Sequence, residues 1–251
     1  MQRVVTLYRR RTRLWLVLVV ASAVVSARAQ QVLVTGKVEL FDAESSKNEA
    51  SAPGVVVWLE PAVGAPSVTH LTNSSQAQRL RLVQEHKSFH PRLLVVEVGA
   101  SVEFPNHDPF FHNVFSLFEG KRFDLGLYEA GTSHIVHFDR PGVSYIFCNI
   151  HPEMSAVVLA LDTPFFGVSD SKGNIAIPGV PTGRYVLRIW HERVTRDALK
   201  SLSREVTISE DSPSFGVLRV VETTALNLAH KNKYGQDYAP PSPSNAAYPR
   251  P

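Results

Sequence analysis

The chain has 251 residues, 44% of them hydrophobic and 20% charged, with a single cysteine and a formal charge of +3 at neutral pH. Six of its 26 basic residues and none of its acids lie in residues 1–29, so the remainder carries 20 basic against 23 acidic groups, a formal charge of −3. A net-acidic body of this kind lacks the basic stripe of a nucleic-acid binder, and one cysteine excludes an internal disulfide framework.

The N-terminus reads as a processing signal. Arg9, Arg10, Arg11 and Arg13 precede an apolar run of twelve residues, 14–25, and Ala27-Arg28-Ala29 supplies the small-x-small pattern of a cleavage site after Ala29. A membrane span needs about twenty apolar residues, so the expectation is a cleaved leader, a periplasmic or secreted protein and no stable membrane insertion. The residues flanking the paired arginines fit a twin-arginine motif poorly, which leaves the export route open. Disulfides persist in such a compartment, so a lone thiol there must be buried, oxidised or ligated.

No long segment of helical period follows the leader, and turn signals recur at roughly ten-residue intervals, as in an all-β chain. Residues 32–40 and 55–59 read as strands around a polar loop. Residues 60–90 are poorly patterned, with a turn at Asn73-Ser74-Ser75. Residues 93–98 alternate, turn at Gly99-Ala100-Ser101, and continue through Val102 and Phe104 into Pro105-Asn106-His107-Asp108-Pro109. Short strands follow at 123–126, 133–138, 143–147 and 156–161. Beyond Pro164, the turns at 169–174 and 180–183 separate strands around Ile175 and Ile177, 185–190, 206–208 and 215–221. The Pro-rich remainder from about Thr224 reads as a disordered tail.

The chemistry concentrates in Cys148-Asn149-Ile150-His151-Pro152-Glu153-Met154, at the end of the apolar run 143–147. It brings a thiolate, an imidazole and a thioether into seven residues. A second imidazole, His112, stands between Phe110-Phe111 and Asn113-Val114-Phe115. Two imidazoles, one thiolate and one weak thioether form the ligand set of a blue-copper electron-transfer site. These soft and borderline ligands suit both oxidation states of copper, so the ion can cycle with little rearrangement. Structural zinc ordinarily takes more than one cysteine or an H-x3-H pair. His134 and His137, three apart in a strand, face opposite ways and read as structural. His86 and His90 read as solvated loop residues, His107 and Asp108 as turn residues at the mouth of the site, and His191 as a hydrogen-bonding strand end. No nucleophile elbow, phosphate loop or dinucleotide fingerprint points to an enzyme.

Phe147-Cys148-Asn149-Ile150-His151-Pro152-Glu153-Met154 with His112-Asn113-Val114 resembles the cupredoxins, and the short ligand loop is most similar to that of amicyanin. The run from Val102 to Ser116 resembles the methylamine-utilisation-type, plastocyanin-like bacterial copper proteins. The resemblance covers roughly residues 85–162. It implies a Greek-key β-sandwich holding one type 1 copper, with His112, Cys148 and His151 as equatorial ligands and Met154 as the axial one. It further implies that Asn113 ties the two ligand loops by hydrogen bonds and that Pro152 stiffens the loop. The implied partners are redox proteins that exchange single electrons through His151.

Asp170-Ser171-Lys172-Gly173-Asn174-Ile175 with Val180-Pro181-Thr182-Gly183-Arg184-Tyr185-Val186-Leu187 resembles the carboxypeptidase regulatory-like, or transthyretin-like, β-sandwich. That family opens with strands like Gly36-Lys37-Val38 and Val55-Val56-Val57-Trp58-Leu59, which here precede the copper region. The expected organisation is a signal peptide over 1–29, N-terminal strands over 30–75, a copper domain over 76–162, a second β-domain over 163–223 and a tail over 224–251. The copper unit would then be inserted into the second sandwich. Electron transfer stands against two other readings, a copper-delivering carrier and a structural β-protein with an incidental site.

Overall fold

The computed structural model describes residues 30–42, 52–62, 80–117, 119–222 and 230–238; the leader and the turn at 73–75 lie outside the described residues. The described residues form seventeen strands and one short helix and are almost entirely β. Among the described residues, no helix is long and apolar enough to cross a membrane.

One set of strands comes from the two ends of the sequence. β1 (Gln31–Asp42) lies between β14 (Asn174–Pro181) and β17 (Ser214–Glu222), antiparallel to the first and parallel to the second. A facing sheet runs β13 (Phe166–Val168), β2 (Val56–Pro61), β15 (Gly183–Trp190) and β16 (Arg204–Ile208). Alternate residues of these strands bury a common core of Val34, Val38, Val57, Leu59, Ile177, Leu187, Ile208, Phe215 and Leu218.

The intervening residues build a second pair of sheets. The larger has the order β6 (Leu93–Glu97), β12 (Ser155–Leu161), β11 (Gly142–Cys148), β8 (His112–Ser116) and β9 (Phe123–Tyr128). The smaller is β10 (Ser133–His137), β7 (Ser101–Pro105) and β3 (Leu80–Arg81), with the hairpin of β4 (Val83–Glu85) and β5 (Ser88–His90) beside it. Their shared core contains Leu82, Phe104, Val114, Phe138, Ile146, Met154 and Val158.

β12 explains how the two halves join. Ala156, Val158 and Ala160 face the core beside the candidate site, while Val157, Leu159 and Leu161 face the other way. The second face packs with Val56 and Trp190 from the sheet of the other half. A strand apolar on both faces is what two-sided burial requires.

Three departures from the sequence reading have physical causes. The hairpin β4–β5 occupies part of the poorly patterned 60–90 region, and its polar Gln84 is fully buried by tertiary hydrogen bonds. α1 (Arg196–Leu202) spans seven residues, too few to show a period, and is capped by the Thr195 side chain accepting from Ala198 N. Residues 230–238, expected within a disordered tail, instead lie against the cysteine loop through specific polar contacts.

Gly36 offers a test of the first core. A Cβ there would stand 2.0 Å from the Phe215 ring, which is itself buried. Gly36→Ala should therefore lower the urea-unfolding free energy by about 1–3 kcal/mol, the usual cost of overpacking. An unchanged midpoint would show that the two strands do not meet there.

Candidate metal centre

His112 opens β8 and Cys148 closes β11, and these strands are neighbours in one sheet, with Cys148 opposite Val114. The turn after Cys148 brings back His151. It is closed by Met154 N donating to His151 O at 3.1 Å and Cys148 N donating to Met154 O at 3.3 Å. Pro152 stands exposed at the tip of this turn, and Met154 is fully buried in the same apolar cluster as Cys148.

The three side chains converge. Cys148 Sγ lies 3.6 Å from His112 Nδ1 and 3.5 Å from His151 Nδ1, and the two nitrogens are 3.2 Å apart. These atoms form a candidate metal-binding group among the described residues. The centre of that triangle lies about 2 Å from each atom, within the roughly 2.0–2.3 Å of metal bonds to nitrogen and sulfur. The donor set thus fits a transition metal that accepts imidazole and thiolate ligands.

His112 is held by a neighbour four residues back. Its Nε2 is 2.9 Å from Asp108 Oδ2, so Nε2–H donates to the carboxylate and Nδ1 keeps its lone pair for the triangle. Asp108 also accepts from His86 N at 2.7 Å and Lys87 N at 3.0 Å. Both of those residues have positive φ, 53° and 55°, which turns their successive N–H groups towards one anion. Asn106 fixes the loop in between: Asp108 N donates to its Oδ1, and its Nδ2 donates to Phe110 O.

Electrostatics favours ligation over protonation at both imidazoles. Burial lowers the His112 pKa, opposed by its Asp108 partner, and burial lowers His151 to about 4, helped by the nearby His112. Burial pushes the Cys148 thiol up, while the backbone N–H groups of Asn113, Ile150 and His151 aim at sulfur and favour the thiolate. For Asp108, burial raises the pKa, but the hydrogen bonds from Lys87, His112 and His86 outweigh it and the net shift is downward. The ring of Phe110 lies 5.4 Å from His112 and 5.5 Å from His151, covering both imidazoles with apolar surface.

The expected site residues occupy distinct places. His112, Cys148 and His151 meet; Met154 lies buried beside them; Pro152 sits at the exposed turn. Asn113 links the two ligand-bearing segments through its backbone, with O accepting from Asn149 N at 2.9 Å. Its side chain turns away, Nδ2 donating to Asp124 Oδ1 at 2.7 Å. His134 packs edge-on against Tyr128 and His137 meets Ser101 at the surface, both away from the triangle. His191 is buried with its Nδ1 3.6 Å from Glu222. The sequence reading gave Asp108 only a part at the mouth of the site and missed the turn at His86 and Lys87. An acid four residues before a ligand histidine was a usable signal for the first. The second acts through backbone N–H groups, which side-chain identity does not encode.

No family model matches this chain, and no curated protein matches it. Among solved structures, a purple cupredoxin from Nitrosopumilus maritimus aligns at 22% identity over 33% of this chain and 99% of its own, with a TM-score of 0.30. A copper-containing nitrite reductase from Thermus scotoductus SA-01 aligns at 24% identity over 41% of this chain, with a TM-score of 0.33. The match spans a quarter (25%) of that reductase. A reduced amicyanin variant aligns at 20% identity over 34% of this chain and 83% of its own, with a TM-score of 0.31.

Two outcomes follow from this geometry. Asp108→Ala frees the His112 ring to rotate and change tautomer, so copper affinity measured by chelator competition should fall by about 10- to 100-fold. Equal affinity would remove Asp108 from the site. The pH dependence of the metal-free protein has a definite sign. His112 and His151 have folded pKa values below the ordinary 6.5, so the unfolded chain binds more protons as pH falls towards about 4. The metal-free protein should keep its full histidine contribution above pH 6.5 and lose stability between there and about 4, seen as a falling urea midpoint. A flat midpoint over that range contradicts the burial of the two rings.

Proposed function

We propose that this chain is an exported electron-transfer protein that holds one copper ion at His112, Cys148 and His151, with Met154 as the axial ligand. The carrying observation is the triangle of one sulfur and two nitrogens, with edges of 3.2 to 3.6 Å. Thiolate and imidazole together suit copper in both oxidation states, and Met154, buried in the same apolar cluster as Cys148, would be the weak fourth donor. Bound copper would supply one-electron chemistry, accepting an electron from one redox protein and passing it to another.

The protein's own part is to hold ligands still and keep water out. The carboxylate of Asp108 locks one imidazole, three backbone N–H groups steady the thiolate, and Phe110 shields both rings. A preformed site keeps rearrangement small when charge changes. His151 is only half-buried, and the exposed side chains of Phe111 and Ile150 flank the region. We assign this small apolar surface, with Phe110 and Pro152, to brief docking with redox proteins. No catalytic role is proposed. Export rests on the basic and apolar leader with its Ala-x-Ala pattern. The strands around residues 163–223, paired with β1 and β2, are proposed as a transthyretin-like support carrying the copper unit as an insertion.

The test is a visible absorption spectrum of the copper-loaded protein through a cycle of reduction and reoxidation. An intense blue thiolate-to-copper band should bleach and return, and Cys148→Ser should abolish it. A colourless Cu(II) form would end this reading. Rapid surrender of copper to a competing protein, with no reversible voltammetric wave, would favour delivery of metal over transfer of electrons.

A further inference from the structure

Residues 230–238 lie against the site and make four kinds of contact with it. The Tyr238 hydroxyl donates to the Cys148 carbonyl oxygen at 2.8 Å, and its oxygen lies 3.1 Å from His230 Nδ1. Lys233 N donates to Asn149 Oδ1 at 2.9 Å. The Lys233 ammonium pairs with Asp124 Oδ2 at 2.8 Å, while the other oxygen of Asp124 accepts from Asn113 Nδ2. The His230 ring stacks on Phe147, with centroids 4.0 Å apart and planes inclined at 25°.

These partners are not scattered. Phe147, Cys148 and Asn149 are consecutive and contain the candidate thiolate ligand, and Asp124 in turn holds Asn113, which directly follows His112. One nine-residue segment therefore grips the cysteine-bearing strand and its turn directly, and reaches the His112-bearing strand through Asp124, from outside the triangle. A loop that must present a thiolate gains order when its carbonyl and its following side chain are tied to a third element. A donor on the Cys148 carbonyl also places positive charge density close to the metal's sulfur ligand. The His230 ring covers one face of Phe147, the residue before the cysteine.

We propose that residues 230–238 form a clasp on the metal centre, with Tyr238 as a positioning residue for the Cys148 ligand and Lys233 for the Asn149 turn. The spectroscopic readouts rest on the copper reading above; the clasp itself does not. The clasp slows metal loss and sets the electronic environment of the thiolate without touching the ion.

The experiment compares the full chain with Tyr238→Phe, which keeps the ring and removes the donor, and with Tyr238→Phe/Lys233→Ala. For copper-loaded protein, the rate of copper loss to a chelator should rise about fivefold in Tyr238→Phe, the equivalent of one net hydrogen bond. It should rise further in the double variant, the thiolate-to-copper band should shift, and the reduction potential should fall. In metal-free protein, the backbone amides of residues 148–151 should exchange with solvent faster in the double variant than in the parent. Copper loss, band position and amide exchange all equal to the parent would overturn the clasp. If the parent shows no copper band, the copper reading fails by itself, and amide exchange alone decides: faster exchange supports the clasp and unchanged exchange sinks it.

Discussion

Three lone-pair donors are held with their atoms 3.2 to 3.6 Å apart in a largely dry place, and much of the surrounding structure serves that constraint. Left to themselves, a buried thiol would keep its proton and buried imidazoles would turn towards hydrogen-bond partners. Here each is prevented separately. Asp108 occupies the far nitrogen of His112, backbone N–H groups approach the sulfur, and burial depresses the basicity of His151. The Asp108 carboxylate is itself a buried charge and needs compensation, which the turn at His86 and Lys87 provides with two further N–H donors. Removing one member leaves the next unsatisfied, so the cluster behaves as a unit.

The rigidity behind this arrangement comes from packing. β8 and β11 are adjacent in one sheet, so the spacing of His112 and Cys148 is set by strand geometry. β12 leaves the ligand loop and buries alternate side chains on both faces, one set within the core of the metal unit and the other against Val56 and Trp190. The second sandwich thereby buttresses the strand that ends the loop. Beside this packing, ion pairs of Arg92 with Glu192 and of Arg196 with Glu119 tie the two halves together.

How much of this was legible depended on what each residue contributes. Cys148, His151 and Met154 stood out because a short loop carries all three, and His112 because a histidine at a strand start between aromatic and apolar residues leaves a local pattern. The strands with clean alternation, such as residues 185–190, were visible for the same reason: the signal lies in the side chains themselves. Gln84 was not, because a buried amide satisfied by Pro105 O and by the Tyr128 hydroxyl looks like a surface residue until its partners are known. Asn113 was expected to tie the two segments by hydrogen bonds; its backbone O accepts from Asn149 N while its side chain serves Asp124, a division that residue identity does not encode. Residues 230–238 were hidden by composition: polar and glycine-containing, they gain their order from Cys148, Asn149 and Asp124, none of which is near in sequence.

The parts that shape the triangle come from segments around residues 84–87, 106–113, 148–154 and 230–238, separated along the chain and joined only by tertiary structure. Such a site cannot nucleate folding, because its members meet only after the sheets have formed. Nor does the fold depend on the ligands for its core, since Phe104, Val114, Phe138, Ile146 and Val158 bury apolar surface whether or not a metal is held. This differs from small zinc modules, in which metal binding supplies the folding energy. Here the fold itself orders the three donors, so a metal bound among them would meet little reorganisation, and so would a change in its charge.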